Sequence, residues 1–195
     1  ERGGRVPTMS APHCVALLGG SFDPPHVGHL LMATWAICQQ DVDEVWCVPT
    51  YRHPFGKPLT DFAIRHEMLT LAIAHLGPSV RVESIESELE GPSYTVDTVT
   101  ALSERHPGVR WRWVGGADTW NARSTWRDWE RLETMIEPLI VGREGEPAPE
   151  SFAEAPMLPD ISSSEIRANV AAGEDIRGLV PQEVEAVIRR RDLYR

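Results

Sequence analysis

LLGGSFDPPHVGHL, residues 17–30, places an apolar run, a pair of adjacent glycines, two prolines and two histidines at the start of a helical pattern. Cys14-Val15-Ala16-Leu17-Leu18 has the unbroken apolar character of a buried parallel strand, and Gly19-Gly20 ends it with residues that let another group approach the backbone closely. Pro24 and Pro25 stiffen the turn. Val27, Leu30, Leu31 and Trp35 then follow helical spacing, which predicts a helix beginning near His26. Helix starts attract anions through unpaired N–H groups and the macrodipole, so His26 and His29, three residues apart, are expected on one helical face beside a phosphate-sized site. Taken singly, the glycines could serve only a tight turn and the histidines could be ordinary polar residues. A structural turn, however, needs neither two histidines at this spacing nor Gly28 between them.

Outward from this stretch the chain alternates strand and helix. Residues 44–49 read as a strand stopped by proline, 62–76 as an amphipathic helix ended by Gly77-Pro78, and 80–85 as a third strand. A helix over 95–105 and a strand over 109–114, running into Gly115-Gly116, follow. Residues 126–135 carry helical spacing, 136–141 read as the fifth strand, 142–156 as a surface loop and 157–158 as a short strand. Helices over 163–172 and 181–191 close the pattern, the second with proline in its first turn. This order predicts an α/β, Rossmann-like fold: a parallel sheet flanked by helices on both faces, binding its ligand outside the carboxyl ends of the strands.

Composition narrows the partners. The 195 residues suit one domain, and 42% hydrophobic residues without a long apolar run argue for a globular protein with no membrane partner. Residues 1–8, ERGGRVPT, have no periodic pattern and are read as a tag remnant or disordered extension, leaving 9–195 as a single domain. A net charge of -10 disfavours a broad nucleic-acid surface, so any phosphate site must be local. Cys14, Cys38 and Cys47 are odd in number, widely spaced and set among apolar residues, which leads us to expect buried thiols in the reducing cytoplasm rather than a disulfide framework or a zinc site. Oligomeric state, homo-oligomers included, is not legible.

Further motifs lie where the predicted sheet would gather them. Ile161-Ser162-Ser163-Ser164-Glu165-Ile166-Arg167 offers serines as N-cap and an arginine one turn inside a helix, a second place for an anion or simply a capped helix with a solvated arginine. Gly115-Gly116-Ala117-Asp118 follows the fourth strand, where a carboxylate could accept hydrogen bonds from ribose hydroxyls. Trp126 and Trp129 are spaced for core packing or for stacking on a flat ligand, Trp129 being the better core candidate, and Trp120 has no assignment among the seven tryptophans. Ser93 or Thr95 could cap the helix starting at Thr95.

GGSFDPPHVGH resembles the GxFDxxHxGH signature of the HxGH nucleotidyltransferase superfamily, and its double glycine and double proline are most similar to the bacterial nicotinate-nucleotide adenylyltransferases. ISSSEIR resembles that family's ISSTxxR element with serine for threonine at Ser164, and SYTVDT resembles its SYTxDT segment. The resemblance implies adenylyl transfer from ATP to nicotinate mononucleotide, with Mg2+ carried on the ATP phosphates and no metal site made by the protein. It implies His26, His29 and Arg167 as catalytic residues. For ATP it implies Gly19, Gly20, Ser21, Phe22, Gly28, Gly116, Asp118, Ser163 and Ser164, and for the mononucleotide Lys57, Thr95, Trp126 and Arg127. One departure stands out: His53-Pro54-Phe55-Gly56 precedes Lys57 where the family has proline-proline-histidine. Nicotinamide mononucleotide or another phosphorylated acceptor remains an alternative, as does a non-catalytic nucleotide sensor.

Overall fold

The computed structural model describes residues 13–39, 41–152 and 154–195; the expectation for residues 1–8 lies outside them. Its centre is a six-stranded sheet ordered β3-β2-β1-β4-β5-β6, all pairs parallel. The strands are β1 (Cys14–Gly20), β2 (Glu44–Pro49), β3 (Val80–Val82), β4 (Arg110–Gly116), β5 (Ile136–Arg143) and β6 (Met157–Leu158). Helices α1 (Val27–Ile37), α2 (Phe62–Ile73), α3 (Thr95–Arg105), α4 (Ala117–Asn121), α5 (Trp129–Leu132), α6 (Ser163–Ala172) and α7 (Gln182–Arg190) complete the chain.

The unbroken apolar run of β1 follows from burial on both faces. Cys14, Ala16 and Leu18 pack with Ala33 and Ala36 of α1 and Leu69 and Ile73 of α2. Val15 and Leu17 pack on the opposite face with Val96, Val99 and Leu102 of α3 and Leu132 of α5. A third cluster joins Met68 and Ala72 of α2 to Ile166 of α6 and Val184, Val187 and Ile188 of α7, fixing the last two helices on the α2 side.

The register opens the site. β1 pairs with β4 only as far as Leu18 opposite Val114, whereas β1 continues along β2 to Gly20 opposite Pro49, and β4 continues along β5 to Gly116 opposite Val141. The two central strands therefore part company at their carboxyl ends, where the order reverses direction, and a crevice forms between them.

Three expectations are corrected. Residues 126–135 are not one helix: Trp126 is extended, Asp128 sits in the left-handed region with φ 51°, and only Trp129–Leu132 is helical. Strand β3 stops at Val82, and Ile85–Glu88 is a 3-10 turn whose Ile85 enters the α3-side core. Cys38 is exposed at the end of α1, while Cys14 and Cys47 are buried as expected. No helix of the described residues is long and apolar enough to cross a membrane.

Candidate active site

The crevice is lined by Leu18 and Gly19 of β1, Trp113 through Gly116 of β4, Val141 through Arg143 of β5, His26, Gly28 and His29 at the start of α1, and Ser162 and Ser163 at the start of α6, with Asp118 and Thr119 on its rim. Its volume is about 250 Å³. A Cβ on Gly19 would meet nothing within 4 Å, so this position leaves open backbone on the cavity floor.

His26 ends the loop as the N-cap of α1, and its N–H donates to His29 Nδ1 at 3.2 Å. This bond fixes the neutral tautomer of His29, because an Nδ1 that accepts leaves the proton on Nε2. The two rings lie with centroids 3.8 Å apart, and a Cβ on Gly28 would stand 3.0 Å from the His26 ring, so the glycine between them makes room for His26 over the first turn. Burial, and then the Arg143 charge, push the His26 pKa down to about 4. Burial and His26 hold His29 well below the ordinary imidazole value. At neutral pH both rings are uncharged, and His26 Nδ1 is buried without a hydrogen-bond partner.

The start of α1 is less open than its sequence suggests. Val27 N–H donates to Leu179 O at 2.9 Å and His29 N–H to His26 O at 2.9 Å, so tertiary and local bonds take two of the amides expected to face an anion. At α6 the cap is Ser162, whose hydroxyl accepts from the Glu165 N–H at 3.2 Å. Ser163 Oγ donates to Pro24 O at 2.9 Å, tying α6 to the first loop while lining the crevice. Ser164 Oγ accepts from Arg167 at 3.1 Å, and Arg167 also donates to Asp23 O at 2.7 Å. The serine-arginine element thus lies against the first loop, with Ser164 and Arg167 beside the crevice rather than on its lining.

Phe22 is corrected. Its ring is 1% exposed in the α1-side core, with its centroid 4.7 Å from that of His29, because a φ of 48° turns the side chain inward from the loop. It can back His29 but offers no ring to a ligand. Gly20 and Ser21 are likewise off the crevice wall: Gly20 leaves room for Phe22 and for His29 Nε2, and Ser21 O accepts from Arg65 at 2.7 Å. Arg65, 1% exposed, also donates to Thr50 O at 2.7 Å and Thr60 O at 2.8 Å, so one buried guanidinium fastens the loops after β1 and β2 together.

A second cavity, about 350 Å³, is lined by Pro54, Phe55, Ser93, Tyr94, Thr95, Thr125, Trp126, Arg127 and Leu132. Thr95 opens α3 there without capping it; Ser93 Oγ instead accepts from the amides of Tyr51 and Arg52 at 3.2 and 3.1 Å. Arg127 pairs with Asp97 at 3.0 Å and lies over the Tyr94 ring. Lys57 is exposed and lines neither cavity. The Trp126 ring meets Trp113, a wall of the first cavity, edge-on at 5.0 Å, so one aromatic contact separates the two sites. Trp120, left unassigned by sequence, packs among Trp113, Trp129 and Phe152.

Arg143 is the residue that sequence reading missed. It lies at the end of β5, in a stretch read as loop, and reaches the crevice with its guanidinium 3.4 Å from Asp118 and 3.2 Å from Asp160. Its signal was only a basic residue directly after a strand on the ligand side of the sheet.

Two neutral histidines and two arginines thus gather around a crevice at the switch point of the sheet, a set of hydrogen-bond donors and positive charge. A family model described as cytidylyltransferase-like matches residues 17–169. A probable nicotinate-nucleotide adenylyltransferase of Anaeromyxobacter sp. (strain K) is 45% identical over 190 residues, 96% of this chain and 100% of that one. The nicotinate-nucleotide adenylyltransferase of Bacillus subtilis (strain 168) is 37% identical over 186 residues, 92% of this chain and 97% of that one. In fold, Plasmodium falciparum nicotinic acid mononucleotide adenylyltransferase complexed with NaAD superposes with a TM-score of 0.81 at 23% identity, covering 93% of this chain and 97% of that one. With both its motifs and its full-length relatives pointing the same way, the chain belongs to the cytidylyltransferase-like family and, within it, to the nicotinate-nucleotide adenylyltransferases.

Proposed function

We propose that the chain joins nicotinate mononucleotide to the adenylyl group of ATP, giving nicotinate adenine dinucleotide and pyrophosphate. The observation that carries this reading is the crevice at the β1/β4 divergence, where the His26–His29 pair faces the start of α6 and stands one aromatic contact from a second cavity walled by Trp126. Such a pair of adjoining sites suits a reaction that needs two nucleotides side by side.

In this reading a phosphate oxygen of the mononucleotide attacks the α-phosphorus of ATP, a new P–O bond forms, and the bond to the β-phosphate oxygen breaks to release pyrophosphate. No protein nucleophile is needed, since the attacking group is already anionic and catalysis rests on positioning and charge stabilisation. His29, with its proton held on Nε2, donates to an α-phosphate oxygen, and His26 supports the same phosphates. Arg167, Ser163, Ser164 and Arg143 neutralise and bind the departing end of the triphosphate. Gly19, Gly28 and Gly116 let the nucleotide lie against the backbone, with Gly20 and Ser21 shaping the turn beneath it, and Asp118 accepts from the ribose. On the acceptor side Trp126 stacks on the pyridine ring, the α3 start at Thr95 receives its carboxylate, and Arg127 and Lys57 contribute positive charge.

Among the described residues the one carboxylate on the crevice lining is Asp118, already paired with Arg143, and no group of three metal-ligating side chains occurs. Mg2+ would be carried by the triphosphate, with Asp118 the lining carboxylate beside it, and would supply screening of phosphate charge there. The free thiols of Cys14, Cys38 and Cys47 support a reducing, cytoplasmic setting.

The deciding experiment is pyrophosphate release from ATP with a panel of acceptors: nicotinate mononucleotide, nicotinamide mononucleotide, pantetheine phosphate and riboflavin phosphate. We expect the first to give the highest kcat/KM. A higher value with any other acceptor would overturn the assignment.

A further inference from the structure

The departure from the family pattern before Lys57 places an aromatic ring where it meets almost nothing. Phe55 is 83% exposed, the most exposed large apolar side chain among the described residues, and it lines the second cavity together with Trp126. Its nearest aromatic neighbour is His53, with centroids 5.8 Å apart. Leaving a phenyl ring in water forgoes the stabilisation that burial would give, so a ring held out at a cavity rim has no use in the folded core.

Its backbone, by contrast, is fastened. The Phe55 N–H donates to His53 Nδ1 at 3.2 Å and the Gly56 N–H to His53 O at 3.0 Å, closing a turn in which Gly56 takes a φ of 65° that favours glycine. The base of the loop is tied to the other wall of the cavity: the Ser93 N–H donates to Arg52 O at 2.8 Å, and Ser93 Oγ accepts from Tyr51 and Arg52. Buried Glu86 adds to this tie, accepting from the Tyr51 N–H at 3.1 Å and from Thr98 Oγ1 of α3 at 2.9 Å. A turn with a fixed base thus carries a free ring beside the opening of a cavity that already holds one aromatic wall.

We infer that Phe55 is a second aromatic wall for the acceptor, its ring covering the flat base of the bound mononucleotide so that the base lies between Phe55 and Trp126. This deepens the proposed function and rests on it. The ring is exposed before binding and covered after it, so its contribution falls on acceptor affinity rather than on folding, and aromatic contact adds to plain burial.

The test compares the wild type with Phe55→Ala, Phe55→Leu and Phe55→Trp. Phe55→Ala should raise the KM for nicotinate mononucleotide about tenfold while leaving that for ATP within about twofold, and Phe55→Trp should restore most of the loss. Phe55→Leu should behave like Phe55→Ala. An unchanged acceptor KM in Phe55→Ala, or wild-type behaviour of Phe55→Leu, would overturn the inference. A readout independent of turnover is chymotryptic cleavage after Phe55: saturating nicotinate mononucleotide should slow it about tenfold and ATP alone should not, and equal cleavage in all three conditions would overturn the inference. A wild type that binds the mononucleotide and protects Phe55 but releases no pyrophosphate would instead defeat the proposed reaction, which separates the two failures.

Discussion

His29 has a fixed neutral tautomer because its Nδ1 accepts from the His26 N–H, and under the proposed function it is the proton on Nε2, not a charge, that it offers to phosphate. His29→Ala should therefore lower kcat by about 10²- to 10³-fold, the range for losing one donor to developing oxyanion charge, while the KM for ATP moves only a few-fold. Initial rates at varied ATP check this, and a KM effect with kcat intact would remove His29 from the chemical step. Burial makes the same pair sensitive to acid. His26 has its pKa lowered to about 4, so the unfolded chain takes up the proton first as pH falls from about 6.5. Stability is full above 6.5 and is lost as pH falls from 6.5 to about 4, by at most about 3 kcal/mol for His26. Urea melts across this window should show the loss in the wild type and a smaller one in His26→Gln. Bound triphosphate opposes the shift, so ATP should protect most at the acid end of the window. The pair was legible in the sequence as a spacing; its neutrality was not, since that comes from the walls around it.

At the scale of elements, the long strands and helices were legible because their apolar periods are the direct consequence of being covered on one side or on two. The failures are short elements held by tertiary contact. Trp126, Trp129 and Leu132 keep helical spacing without a common helix: Asp128 takes a left-handed conformation, and Trp126 and Trp129 reach the same cluster by packing on Trp113 and Trp120 from a broken segment. Likewise Ser163 binds Pro24 O and Arg167 binds Asp23 O across about 140 residues, a partnership no local pattern announces. The chain past α7 makes a third such tie: the Tyr194 hydroxyl donates to Asp23 Oδ1 at 2.6 Å, with Asp23 3% exposed and also accepting from the Thr60 N–H at 3.0 Å. Burial and the Asp23 carboxylate raise the Tyr194 pKa far above the ordinary phenol value, so this donor keeps its proton throughout the working range. Tyr194→Phe keeps the ring against the α2–α7 cluster but strands a carboxylate oxygen, and should cost about 1.5–3 kcal/mol in a denaturant melt. A cost near zero would mean the phenol is dispensable to the loop.

For the whole molecule, the decisive geometry is that β1 and β4 part after Leu18 and Val114, at the glycines that end each strand, which opens the first cavity, with Trp113 and Trp126 between it and the second. The fold class was legible, because alternating strands and helices leave few right-handed arrangements. The partition was not, because Trp113 and Trp126 come from different elements and meet only after the sheet has formed. Their positions give them separable roles. Trp113 is 6% exposed, and a Cβ on Gly115 would fall 1.8 Å from its ring, so ring and glycine are fitted to each other in the core. Trp113→Ala should lower stability by about 3–5 kcal/mol and, under the proposed function, weaken both substrates together, since it removes a buried indole and a wall of the first cavity. Trp126 is only partly buried and lines the second cavity but not the first. Trp126→Ala should lower stability far less and raise the KM for the mononucleotide about tenfold, with that for ATP little changed. Parallel melts and two-substrate kinetics on the two variants separate partition from wall. If Trp126→Ala instead lost stability like Trp113→Ala and kept its acceptor KM, both indoles would belong to one core, and the base of the mononucleotide would have to lie elsewhere.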